Sequence, residues 1–102
     1  PAAVESPSDQ GWRLFASGDT AGAVRIFLAA VEKNPKDDAS HEGLVWAYLY
    51  QREFARAATE SDIVLRLRPR DRRWQERRLY VLTQSPERRG EVHDGAASPA
   101  WL

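Results

Sequence analysis

The chain repeats itself at one fixed interval, the distance from Asp19 to Glu53, and that repetition narrows the folds open to it more than any other feature. Asp19-Thr20-Ala21-Gly22-Ala23 lies over Glu53-Phe54-Ala55-Arg56-Ala57, and Asn34-Pro35-Lys36-Asp37 lies over Arg68-Pro69-Arg70-Asp71, without a gap in either case. A fixed period of roughly 20–50 residues, here about 34, marks an array of supersecondary units, each too small to bury its own apolar face and stable only when stacked. With 102 residues the chain has room for one domain of this kind, and 42% apolar residues, among them four tryptophans, supply it with a core.

Helix signals fit inside the period. Ser6-Pro7-Ser8-Asp9 reads as a capping serine, a proline in the first helical position and an acid in the first turn, the start of a helix through Trp12 and Phe15 that Ser17-Gly18-Asp19 stops. The next helix, roughly Thr20 to Lys33, has its apolar face at Ala23, Ile26, Phe27, Ala30 and Val31, which is helical rather than strand spacing. Pro35 ends it, because the residue before a proline is pushed out of the helical region. A second pair follows: Asp37 or Asp38 caps a helix to about Tyr50, and Glu53 to Leu67 forms its partner, ended by Pro69. Asp71 then caps a fifth helix to about Gln84. Pro86, Gly90, Gly95 and Pro99, among small and polar residues, predict a frayed turn of helix and then a flexible tail over 85–102. No strand is required anywhere.

The chemistry available is narrow. There is no cysteine, which removes disulfides, thiolate metal sites and a thiol nucleophile together. His41 and His93 are isolated, with no helical partner one turn away, so a metal site lacks ligands. The paired acids Asp37-Asp38 sit at a helix start, where the macrodipole accounts for them, and no glycine-rich phosphate loop is present. The expectation is therefore a protein that is no enzyme and binds no cofactor or metal. Uninterrupted apolar runs are only a handful of residues long, such as Ile26 to Val31, far too short to span a bilayer. Pro1 in first place, rather than an initiator methionine, leads to the expectation of a processed or excised piece, and the compartment stays open. Thirteen arginines against two lysines associate the chain with GC-rich bacterial genomes.

The residues at the repeat positions resemble the tetratricopeptide repeat family, whose antiparallel helix pairs of the same period stack into a right-handed superhelix. The match runs through Gly11, Gly18, Ala23, Phe27, Ala30 and Pro35 in the first repeat and Leu44, Tyr48, Phe54, Ala57 and Pro69 in the second. Ser61 and Val64 depart from it, standing where the family prefers a large aromatic and an alanine; Pro7 stands where a tryptophan is usual, and Arg52 is the counterpart of Gly18. The resemblance implies an all-α fold, a short right-handed α-solenoid of antiparallel helix-turn-helix repeats with five helices plus tail. Repeat 1 covers about 4–37, repeat 2 about 38–71 and a capping helix 72–84, together a repeat domain over 1–84.

In that family the first helix of each pair lines a concave groove that holds a partner's peptide. The positions so implied are Trp12, Trp46 and Tyr80, each one period after the last, with Phe15, Leu49 and Thr83 one turn on and Ser8, Glu42 and Glu76 one turn before. Tyr50, Arg73 and Arg77 complete the expected groove. Aromatic platforms give large contact area at small entropic cost, so this row suits a proline-containing peptide, an amphipathic helix or sugar rings. The bland reading packs the same rings on neighbouring helices or under the chain's own tail, which ends in Trp101-Leu102. Family members that grip a chaperone's terminal carboxylate use basic and amide groups on three first helices. Here those places hold Ser8 and Trp12, then Gly43, then Arg73 and Arg77, which argues against that mode.

Charge is uneven along the chain: six basic and ten acidic groups over 1–65, nine and five over 66–102, with a total of zero. Seven arginines lie between Arg66 and Arg78. Pairing with Asp62, Asp71 and Glu76 on a solvated face is the plainer account; an acidic protein partner comes next, and nucleic acid last, because helical geometry scatters the charges. The expected function is a protein–protein interaction module, adaptor, scaffold or chaperone-like, that takes a peptide or helix of a partner in its groove. Alternatives are a glycan-handling module of a bacterial envelope or polysaccharide-export system, and a homo-oligomer formed through an uncovered repeat face or the tail.

Overall fold

The computed structural model describes residues 5–93, and all regular structure among them is helical. The elements are α1 Pro7–Ala16, α2 Thr20–Lys33, α3 Asp38–Tyr50, α4 Phe54–Leu67, α5 Arg72–Gln84 and a single turn, α6 Gly90–His93. Each packs against its neighbour in sequence, and α3 also reaches back to α1. The result is an all-α stack of antiparallel hairpins, α1–α2 and α3–α4, closed by α5.

The period of the sequence recurs in the backbone. Asp19 accepts from the Gly22 amide at 2.9 Å, Asp37 from Ser40 at 3.2 Å and Asp71 from Trp74 at 3.1 Å, each filling one of the vacant donors of a first turn. Glu53, in the place of Asp19, makes no such side-chain cap. The ends of α1 and α3 share one motif. Asp19 N donates to Leu14 O and Gly18 N to Phe15 O; one period later Glu53 N donates to Tyr48 O and Arg52 N to Leu49 O. This is the left-handed termination in which one residue takes positive φ, here Gly18 at 94° and Arg52 at 62°. α2 and α4 end in extended or irregular residues, Asn34 and Arg68, each directly before a proline.

Small residues set how closely the helices approach. The Phe27 ring is wedged between α1 and α3 where Gly11 and Gly43 face it, and a Cβ on either glycine would come closer than 3.0 Å to that ring. Around Phe27 the core runs through Ala23, Leu44, Val45, Tyr48, Ala57, Ala58 and Val64 to Trp74, Val81 and Leu82. Burying these side chains is the main force holding one hairpin on the next.

Polar groups stitch the layers. His41 is buried between α3 and α4, with Nδ1 2.6 Å from Glu60 Oε2 and Nε2 2.8 Å from the Pro35 carbonyl. Arg68 joins the end of α4 to Asp38 and Glu42 of α3. Asp62 of α4 takes Arg78 of α5 at 2.7 Å and Arg88 at 2.5 Å. Among the described residues no buried side-chain nitrogen or oxygen lacks a partner.

Residues 85–93 form the expected turn of helix, tied down by a buried Ser85 and by Arg88. The rest of the expected tail, with Trp101 and Leu102, and the first four residues lie outside the described residues. No described helix is long and apolar enough to cross a membrane.

Candidate functional site

Residues one period apart occupy equivalent places on α1, α3 and α5, so the stacking that buries Phe27 and Leu44 also aligns Trp12, Trp46 and Tyr80. Together with Phe15, Leu49 and Tyr50 they line one open hollow of about 450 Å³. The rings are braced edge to face. Trp12 meets Phe15 at 5.9 Å between centroids and Phe27 at 5.7 Å, while Phe15 meets Tyr50 at 5.7 Å and 88°. Trp46 leans on Trp74 at 6.2 Å. Such pairs lock the rings in place and leave little side-chain entropy to lose on binding. Tyr50 and Tyr80 are the exposed members, at 75% and 56%, and the other four are half-buried.

The polar residues expected in the groove divide. Arg77 lies beside the hollow, its guanidinium carbon 5.8 Å from the Trp46 ring centre and 5.3 Å from that of Trp74. Arg73 and Glu76 are exposed on α5, and among the described residues neither forms an ion pair. Glu42 is drawn into the Arg68 pair instead of standing free beside the rings. Thr83 turns its hydroxyl to its own helix, donating to the Tyr80 carbonyl, and does not line the hollow.

The arginine run is split in the same way. Arg68 and Arg78 hold carboxylates, and the Arg68 guanidinium is raised above its ordinary value, first by its hydrogen bond to Asp38. Burial pushes the Asp62 carboxyl up, but the hydrogen bonds and charges of Arg88 and Arg78 outweigh it and hold that group below the ordinary carboxylate value. Arg88 is raised by Glu91 and then Asp62, and Glu91 is lowered in turn by its hydrogen bond to Arg88.

One contributor to the hollow, Trp74, and one buried polar residue, His41, escaped the sequence reading. Trp74 sits among arginines and has no part in the expected groove, yet it is 1% exposed, supports Trp46 and underlies Arg77. Its spacing of two helical turns to the buried Val81, one helix face, is the signal that finds it. His41 appears isolated because its partner Glu60 is on another helix, and it serves packing rather than the hollow. Among the described residues no group of three or more His, Asp or Glu is placed to hold a metal ion. Compared with known proteins, the chain matches no family model, no curated protein and no solved structure.

Proposed function

We propose that the chain is a protein–protein interaction module of the tetratricopeptide type, an adaptor, scaffold or chaperone-like unit that captures a peptide or helix of a partner protein in the hollow across α1, α3 and α5. The observation that carries this reading is the shared wall: Trp12, Trp46 and Tyr80, one from each first helix, border a single hollow of about 450 Å³. A concave surface of rigid aromatic and aliphatic groups with few polar ones suits apolar side chains on an extended or helical segment. It suits a glycan less well, because a sugar presents many hydroxyls and this lining offers only phenol and indole groups to satisfy them.

The test truncates rings that the core does not need. Trp12 packs on Phe27 and Trp46 on Trp74, so removing either also strips the core, whereas Tyr50 and Tyr80 project into solvent. Peptides selected from a randomised phage library on the wild-type protein are expected to bind the Tyr50→Ala, Tyr80→Ala double variant about tenfold more weakly or worse, with far-UV circular dichroism unchanged. Equal affinity for the double variant overturns the proposal. So does a library that yields no binder while oligosaccharides quench the tryptophan fluorescence.

A further inference from the structure

Of the three large apolar side chains left exposed among the described residues, two, Tyr50 and Tyr80, border the hollow. Apolar surface gathered in this way is costly to leave in water and marks a place that something covers. The hollow also lies at one end of the stack. Trp12 and Phe15, Trp46, Leu49 and Tyr50, and Tyr80 all fall in the second halves of α1, α3 and α5. α5 ends at Gln84, about 6 Å beyond Tyr80 at 1.5 Å per residue, so the chain that follows leaves the stack at the end where the hollow is.

That chain first runs along the far side of α5. Arg78 and Arg88 share Asp62, and Arg78, two positions before Tyr80, lies about 200° from it around the helix. His93 closes α6, and Asp94 to Leu102 lie outside the described residues. A helix with its side chains is about 10–12 Å across. The stretch Asp94-Gly95-Ala96-Ala97-Ser98 spans at most about 16–18 Å, which is enough to pass round α5 and bring Pro99-Ala100-Trp101-Leu102 to the hollow.

Composition divides the segment at the same place. Its first five residues are small or polar and ask for no pocket, whereas the last four are apolar, uncharged and include an indole. Pro99 fixes its own φ and so lowers the entropy lost on docking. A wall of aromatic edges and faces with one leucine suits an indole, and it asks the segment for few hydrogen bonds. The tether then decides between this chain's own segment and that of a second copy. A short linker holds its end at a local concentration on the order of millimolar. A contact too weak to form between separate molecules is therefore populated within one.

We infer that Pro99 to Leu102 folds back over the hollow of its own chain, with Trp101 seated against Tyr50 and Tyr80, and that a partner's segment must displace it. The cover stands on the geometry of the hollow and the reach of the segment; its action as a gate rests on the peptide-binding reading above. The gate lowers the affinity for any partner by the fraction of molecules left uncovered.

The experiment compares the full chain with its Trp101→Ala, Leu102→Ala variant. In the wild type, nuclear Overhauser contacts are expected from the Trp101 indole to the Leu49 methyls and the Tyr80 ring, unchanged on dilution. Peptides selected from a randomised phage library on the variant are expected to bind the wild type about three- to tenfold more weakly than the variant. Absence of the Trp101 contacts overturns the inference. So do contacts that fade on dilution while the sedimentation coefficient rises with concentration, which give the hollow to a second copy. Peptides that need Tyr50 and Tyr80 yet bind the wild type and the Trp101→Ala, Leu102→Ala variant equally overturn the gate and leave the peptide-binding reading standing. Trp101 contacts without any library binder uphold the cover and overturn that reading instead.

Discussion

Arg52 shows how a single residue bends to the demands of a repeat. Its place in the hairpin requires positive φ, which Gly18 supplies freely in the first hairpin and which costs an L-residue with a Cβ roughly 1–2 kcal/mol. The backbone adopts that conformation all the same, because the hydrogen bonds from Glu53 N to Tyr48 O and from Arg52 N to Leu49 O would otherwise be lost. Arg52→Gly is therefore expected to stabilise the protein by about 0.5–1 kcal/mol after allowing for the freer unfolded chain, a rise of a few degrees in Tm by circular dichroism. A fall in Tm would contradict the strain argument. Ser61 and Trp74 show a second adjustment. Phe27 and Ser40 are large and small; one period on, Ser61 and Trp74 are small and large, and all four are buried. The bulky member has moved from the second helix of a pair to the following first helix, so the interior stays filled while the repeat pattern breaks.

At the level of elements, the same position explains why the repetition stops. Gly18 and Arg52 are followed at the same interval by Pro86, whose ring holds φ at a negative value and forbids the left-handed turn. Ser85, the C-cap of α5, accordingly has ψ of 114° where Gln51 has 0°, and the chain leaves in a new direction towards α6 rather than into another long helix. What holds that departing segment is Arg88, clasped by Asp62 and Glu91. Folding depresses the Asp62 carboxyl below its ordinary value of 3.8, so its contribution is present above that pH and is lost as pH falls through the lower, folded value. Acidification from about pH 5 to about pH 2 should therefore loosen the attachment of 85–93. Asp62→Asn should loosen it at neutral pH, read as several-fold faster trypsin cleavage after Arg88 and Arg89. Cleavage at the wild-type rate in Asp62→Asn would show that Arg88 is not what secures the segment.

For the whole molecule, stability should be graded along the stack. α3 packs on α1, α2 and α4, whereas α6 touches only α5 among the pairs with substantial contact. Native-state amide exchange is expected to be slowest in α3, faster in α1 and the last turns of α5, and fastest in α6, because each hairpin is supported only by its neighbours. Uniform protection from α1 to α6 would instead indicate one cooperative unit.

Much of this architecture is written in local chemistry. Pro35, Pro69, the capping aspartates and the helical apolar rhythm act on their own neighbourhoods, so the bounds of α2 could be read directly, and α4 differs only in that Glu53 stands outside the helix as its cap. The aromatic row was legible too, since a fixed period carries equivalent residues to equivalent places. Glu42, Trp74 and His41 were not, because what decides each is a partner on another helix: Arg68, Trp46 and Glu60. Local order along the chain thus determined the helices, their ends and the places that recur. Only the packed structure decided which of those places face the hollow and which charges are already neutralised, for these depend on distances between segments that no local pattern encodes.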